Sequence, residues 1–241
     1  MDATARRLLS CIDLTSLQDD QADDIQALCA AAVTAHGPVA AVCSWPRHVA
    51  AMAAALPETP PKIAAVVNFP EGADSPEAAC DEARAAVAEG AHELDLVVPY
   101  KAWLAGDRAP TKSMVAAVRA AAPNAALKVI LETGAFGDDL AGVAAIAEAT
   151  VEAGADMLKT STGKSGAGAS LPAARALLEV IRAAPRPVGF KASGGVRSVE
   201  QAAQYLALAE EIMGDGWATP VRFRIGASRL LDELLARLSG P

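Results

Sequence analysis

Two lysines interrupt stretches that otherwise read as buried strands. Lys159 lies in Ala155-Asp156-Met157-Leu158-Lys159-Thr160, and Lys191 in Val188-Gly189-Phe190-Lys191-Ala192-Ser193. Lysine is among the residues least often buried, so each asks for a reason. The bland one is that the stem packs at a strand end while the ammonium snorkels to water. The other is chemical. A lysine amine is protonated at neutral pH and cannot attack a carbonyl, but partial desolvation and a neighbouring ammonium both disfavour its charged form. Lys191 beside Lys159 would supply that neighbour. The neutral amine then condenses with an aldehyde or ketone. The resulting iminium ion accepts the electron pair of the adjacent C–C bond as it breaks, with no metal ion needed.

Such chemistry also requires a group that moves protons, and an internal echo points to Asp95. Glu89-Gly90-Ala91-His92-Glu93-Leu94-Asp95 resembles Ala153-Gly154-Ala155-Asp156-Met157-Leu158-Lys159: a helix end, a glycine turn and the start of a strand. In both, a charged residue follows the glycine at the same offset. Strand side chains alternate faces, so equal offsets imply equal facing. On strands four and six of a barrel, Asp95 and Lys159 fall in one interior layer. Asp95 is then a general acid–base candidate, or an ion-pair partner of Lys159 or Lys191, and the two roles are compatible. Lys128 and Glu132 on the intervening strand extend this polar set, and Asp13 reaches the same mouth from the first strand.

Three segments suit a phosphate group. Thr162-Gly163-Lys164-Ser165-Gly166 combines backbone N–H groups with a lysine, while Ser193-Gly194-Gly195-Val196-Arg197 and Gly226-Ala227-Ser228-Arg229 each lead into a helix N-terminus. In (β/α)8 barrels, phosphate sites commonly form from the loops after strands seven and eight.

The elements that would position these groups repeat eight times. Strands are expected at Cys11–Thr15, Val39–Ser44, Lys62–Phe69, Glu93–Pro99, Leu127–Thr133, Met157–Thr162, Val188–Ser193 and Arg222–Gly226, at the spacing of a βα unit. Amphipathic helices are expected at Ser75–Glu89, Asp138–Ala153, Leu171–Ala184 and Ser198–Met213. Ser75-Pro76 and Ser170-Leu171-Pro172 read as helix starts, and Gly90 and Gly154 as stops. No linker divides the chain. The reading is an α/β protein, a single (β/α)8 TIM barrel spanning residues 1–241.

Bulk properties exclude other classes. Hydrophobic residues form 52% of the chain and no apolar run is as long as a membrane span. A net charge of -8 argues against nucleic acid or an anionic membrane as partner. Cys11, Cys29, Cys43 and Cys80 show no CxxC pairing, and His36, His48 and His92 no metal-binding spacing, so no metal or other cofactor is expected. The start MDATARRLLSCIDLTS is not a secretory signal, so a cytoplasmic location is expected. Twofold symmetry is the commonest assembly, which makes a homodimer the expected state.

Taken in order, several segments resemble the deoxyribose-phosphate aldolase family along nearly the whole chain. They are Ile12-Asp13-Leu14-Thr15, Val42-Cys43, Val67-Asn68-Phe69-Pro70, Glu93-Leu94-Asp95-Leu96-Val97-Val98-Pro99-Tyr100 and Lys128-Val129-Ile130-Leu131-Glu132-Thr133. Lys159-Thr160-Ser161-Thr162-Gly163-Lys164, Gly189-Phe190-Lys191-Ala192-Ser193-Gly194-Gly195-Val196-Arg197 and Arg224-Ile225-Gly226-Ala227-Ser228 complete the set. The resemblance implies a cofactor-free class I aldolase of deoxyribonucleoside catabolism. Its small phosphorylated sugar substrate would be 2-deoxy-D-ribose 5-phosphate, cleaved reversibly to D-glyceraldehyde 3-phosphate and acetaldehyde. It implies a Schiff base on Lys159, a perturbing role for Lys191 and a place for Asp95 in the proton relay. It further implies phosphate contacts from Gly163, Lys164, Gly194, Gly195 and Ser228. Cys43 matches a thiol near the site, either a trap for unsaturated aldehydes or a buried structural group. Two features depart from the pattern. Leu238-Ser239-Gly240-Pro241 carries no tyrosine where some relatives have a terminal one that assists proton transfer, which implies water or another group in that step. Arg229 stands where some carry a second serine, either adding charge to the phosphate clamp or simply solvated.

Two other readings fit the residues: a Schiff-base aldolase or transaldolase for a different substrate, and a sugar-phosphate-binding barrel without catalysis. The fold alone does not choose between them.

Overall fold

The computed structural model describes residues 2–18, 24–57, 61–165 and 168–240. Eight strands carry the expected β-branched and small apolar residues: β1 Ile12–Thr15, β2 Ala41–Ser44, β3 Lys62–Val67, β4 Glu93–Val97, β5 Ala126–Ile130, β6 Met157–Lys159, β7 Gly189–Ser193 and β8 Phe223–Ala227. All pair in parallel, and β8 closes on β1, giving a single (β/α)8 barrel. Closure removes both sheet edges, so every ladder hydrogen bond has a partner.

Helices α1 Ala3–Ser10, α2 Ile25–Ala31, α3 Val49–Ala55, α4 Pro76–Ala88, α5 Tyr100–Leu104, α6 Ala109–Ala121, α7 Leu140–Glu152, α8 Leu171–Ala183, α9 Val199–Met213 and α10 Leu230–Ser239 pack around it. A two-residue ribbon, Val33–Thr34 against Gly37–Pro38, precedes β2. The four helices expected from amphipathic periodicity lie within two residues of their expected ends. Ser170 caps α8 by accepting from the Ala173 N–H at 3.3 Å. Ser75 occupies the matching position on α4, but its side chain makes no capping bond. Gly90 and Gly154, at φ 110° and 114°, turn the chain out of α4 and α7 in the left-handed region that glycine favours.

Four strands end short of expectation, while β8 ends one residue later than expected, at Ala227. β3 to β6 stop two or three residues before the apolar run does, because the chain bends at its C-terminal end into the loops that frame the mouth. Asn68 and Glu132 take left-handed backbone there, at φ 55° and 51°. Asn68 fixes its turn with its side chain, donating to the carbonyls of Ala73 and Val97 at 2.9 Å each.

The main hydrophobic core fills the space between the strands and the helical shell. The barrel interior is divided. Ala41, Cys43, Ala64 and Val66 on β2 and β3 make a small apolar wall, with Leu17, Trp45 and Phe69 packed against it. Charged side chains from β1 and β4 to β8 occupy the rest.

Candidate active site

Register brings the charges together. Asp95 pairs with Lys128, Lys159 with Lys191, and Lys191 with Arg224 across neighbouring strands. Parallel neighbours in register face the same side, so these side chains converge on the axis. Lys159 Nζ donates to Asp95 Oδ2 at 2.6 Å, and Lys191 Nζ reaches the same oxygen at 2.7 Å. The two ammonium groups are therefore separated by a single carboxylate oxygen. Lys191 also meets Asp13 Oδ2 at 2.5 Å. Lys128 lies within 2.9 Å of Asp13 and of Asp95, and 2.7 Å from Glu93. Arg224 completes the set, 2.5 Å from Asp13 and 2.8 Å from Glu93. Gly226 makes room for Lys191: a Cβ there would stand 3.1 Å from Lys191 Cε.

The three lysines are not equivalent. Burial pushes all of them toward neutrality, and only for Lys159 does it win. Asp95 opposes the shift and Lys191 reinforces it, leaving the Lys159 amine below its ordinary 10.5. Loss of solvent is the largest cause, and the Lys191 charge, on the far side of Asp95, adds to it. Lys191 is held above its ordinary value, since Asp13 and Asp95 together overcome its burial. Lys128 is held well above, by Asp13, Asp95 and Glu93. Burial would raise the carboxyl of Asp95, but Lys128, Lys159 and Lys191 keep it ionised well below its usual range.

The remaining expected residues divide between this cluster and its rim. Asp13 and Lys128 are integral to the cluster. Cys43 lies beside it, Sγ 3.9 Å from Asp95 Oδ2. Glu132 is not part of it. Its carboxylate turns to the loop after β6, accepting from the Thr162 N–H at 3.1 Å and the Ser165 hydroxyl at 2.9 Å. Gly163, Lys164, Gly194, Gly195, Ser228 and Arg229 line one cavity of about 430 Å³ at the C-terminal end of the barrel. Gly194 and Gly195 have φ of 89° and 85°, and the Gly194 carbonyl accepts from the Ala169 N–H at 2.8 Å, tying the loops after β6 and β7 together. Gly166, the last residue of the first expected anion segment, lies outside the described residues. A larger groove of about 990 Å³ lies on the outer shell between α7, α8 and α9, lined by residues such as Leu140, Leu171 and Val180 and remote from the lysines.

Sequence reasoning did not single out Glu93 and Arg224 as members of the cluster. The signal was there: Glu93 is two residues before Asp95, and Arg224 two before Gly226, which gives both the inward parity. Ser161, two residues beyond Lys159, was also passed over. Its buried hydroxyl has no hydrogen-bond partner among the described residues.

A barrel with buried lysines interleaved with carboxylates at its axis, and a glycine-lined cavity at the strand C-termini, belongs by fold and site to the (β/α)8 enzymes. Comparison with known proteins narrows this. The family model described as DeoC/LacD family aldolase matches residues 8–234, and the chain belongs to that family. It is 46% identical over 235 residues to a deoxyribose-phosphate aldolase of Agrobacterium fabrum, covering 96% of this chain and 90% of the relative. Among solved structures it is similar to an aldolase designated QR15, with a TM-score of 0.82 and 26% identity over 96% of this chain and 97% of that one. It is also similar to the deoxyribose phosphate aldolase of Aeropyrum pernix, described as a unique tetramer, with a TM-score of 0.79 and 25% identity over 98% of this chain and 92% of that one.

Proposed function

We propose that this aldolase cleaves 2-deoxy-D-ribose 5-phosphate reversibly to D-glyceraldehyde 3-phosphate and acetaldehyde, through a Schiff base on Lys159. One observation carries the reading. Of three lysines buried at the axis, only Lys159 is lowered in proton affinity, and among the described residues it pairs with Asp95 alone.

The geometry supports the following sequence. The neutral Lys159 amine adds to C1 of the open-chain aldehyde, and loss of water gives the iminium ion. Asp95 is ionised and adjacent to the reacting nitrogen, and accepts the C3 hydroxyl proton, directly or through one water. As that proton leaves, the C2–C3 electron pair moves into the iminium group. D-Glyceraldehyde 3-phosphate departs and an enamine stays on Lys159. Protonation at C2 and hydrolysis then release acetaldehyde and restore the amine. Lys191 stays charged beside Asp95 and keeps that carboxylate oriented. The Ser161 hydroxyl is suited to a substrate hydroxyl lying between the imine and the phosphate. Gly163, Gly194 and Gly195 would offer backbone N–H groups to the phosphate, with Lys164 and Ser228 beside them. The four cysteines are free, in keeping with a reducing, cytoplasmic setting.

The test is to treat the protein with acetaldehyde and borohydride and map the reduced adduct by peptide mass spectrometry. The expected adduct is on Lys159, with Lys159→Ala abolishing both adduct and turnover. An adduct confined to surface lysines, or a Lys159→Ala variant that still cleaves, contradicts the reading. Removing the 5-phosphate should greatly lower kcat/KM, because remote contacts stabilise the transition state at the reacting carbon. Equal turnover of 2-deoxyribose would refute the phosphate clamp.

A further inference from the structure

The charges at the axis form a closed system whose count is odd. Among the described residues, Lys128, Lys159, Lys191 and Arg224 face Asp13, Glu93 and Asp95, four cations to three carboxylates. With every group ionised, one unit of positive charge is buried without a counter-charge, and such a charge is costly in a low dielectric. Losing one proton removes it. The contact pattern decides where the proton leaves. Arg224 keeps its proton at any ordinary pH and is bonded to both Asp13 and Glu93. Lys128 touches three carboxylates and Lys191 two, whereas Lys159 touches one.

We infer that Arg224 and Glu93, at the end of the network remote from the substrate, set the proton affinity of Lys159 by fixing the charge parity of the barrel interior. Both are positioning residues. They act through Asp13, Lys128 and Lys191 and touch no substrate on this account. Without Arg224, three lysines balance three carboxylates, and Lys159 must keep its proton for the interior to be neutral. Without the Glu93 charge, the excess is two, and Lys159 gives up its proton more readily. Among the described residues, the other groups near Lys159 do not change this count. β2 contributes the neutral thiol of Cys43, pushed up to about 11 chiefly by burial. β3 contributes uncharged Ala64 and Val66. At the mouth, Glu132 is turned to the loop after β6 and Lys164 lies exposed in the outer cavity.

The inference concerns the same amine as the proposed Schiff base, so its test measures that amine without forming an imine. Trace acetylation with labelled acetic anhydride across a pH series, followed by peptide mass spectrometry, gives the titration midpoint of Lys159. In Arg224→Met the midpoint should rise, by on the order of one pH unit, so that acetylation below it falls about tenfold. In Glu93→Gln it should fall. Arg224→Lys preserves the charge count and should restore a midpoint near that of the unmodified protein. Shifts in the same direction for Arg224→Met and Glu93→Gln, or none in either folded variant, would overturn the inference. Should Arg224→Met fail to fold by circular dichroism, the direction of the Glu93→Gln shift decides alone. Failure to trap a Lys159 adduct with acetaldehyde would count against the Schiff base and leave these midpoints unaffected.

Discussion

A thiol inside an enzyme barrel is an obvious candidate nucleophile, and Cys43 is fully buried within reach of Asp95. Its surroundings argue for the structural reading. Burial, reinforced by the negative charge of Asp95, pushes the thiol up to about 11, against the weaker pull of Lys191 and Lys159. The thiolate is the reactive form, so almost none is present at neutral pH. Cys43 should therefore resist iodoacetamide in the native protein and react only after unfolding, as read by peptide mass spectrometry. Fast native alkylation at neutral pH would mean that Asp95 or the burial of Cys43 is wrongly assigned. The same Asp95 charge thus holds a proton on sulfur while Lys191 helps remove one from Lys159.

At the scale of elements, the loops at the barrel mouth are held by side chains in unusual backbone. Glu132 has left-handed φ of 51°, a conformation that costs a non-glycine residue and persists only where its surroundings require it. Its carboxylate bridges from the end of β5 to Thr162 and Ser165, on either side of the cavity-lining Gly163 and Lys164. Glu132→Ala should loosen that loop, raising KM for the phosphorylated substrate on the order of tenfold while changing kcat less. Steady-state kinetics with the substrate and its 5-dephospho form checks this. An equal effect on both forms would show that the loop Glu132 holds does not act on the phosphate.

Glu132 also marks a limit of sequence reading. Leu127–Thr133 is apolar enough to read as unbroken strand, yet the ladder of β5 ends at Ile130 and the left-handed turn falls on a residue with no glycine signal. The alternation of strands and helices, and the inward parity of Asp95, Lys159 and Lys191, could be read from period and offset. Periodicity says which face a residue takes, but not which charges meet across the axis. That depends on the register between strands distant in sequence, which is why Arg224 and Glu93 escaped notice. The short ribbon before β2 escaped for a different reason. It is two residues a side, too short for any periodic signal.

At the scale of the whole molecule, the buried network couples activity to acid stability. Asp13, Glu93 and Asp95 all have folded-state affinities below their ordinary values, held there against burial by Lys128, Lys191 and Arg224 among others. The sign follows from linkage. A carboxyl whose affinity is depressed on folding stabilises the fold fully above its unfolded value, and that contribution is lost as pH falls toward the folded value. The unfolded values are 3.8 for Asp and 4.5 for Glu. Tm should therefore stay nearly level from neutrality down to about pH 5, then fall by on the order of 10 °C over the next two units. A melting temperature unchanged over that acid range would contradict the network.

Attack by Lys159 requires its amine to be easier to deprotonate than those of its two buried neighbours. Nitrogen-15 NMR of lysine-labelled protein, titrated through the alkaline range and assigned with Lys159→Met, measures this directly. One buried lysine nitrogen should titrate below the ordinary 10.5, disappear in Lys159→Met, and leave the nitrogens of Lys128 and Lys191 titrating above it. A low-titrating nitrogen that survives in Lys159→Met, or none at all, would contradict the account.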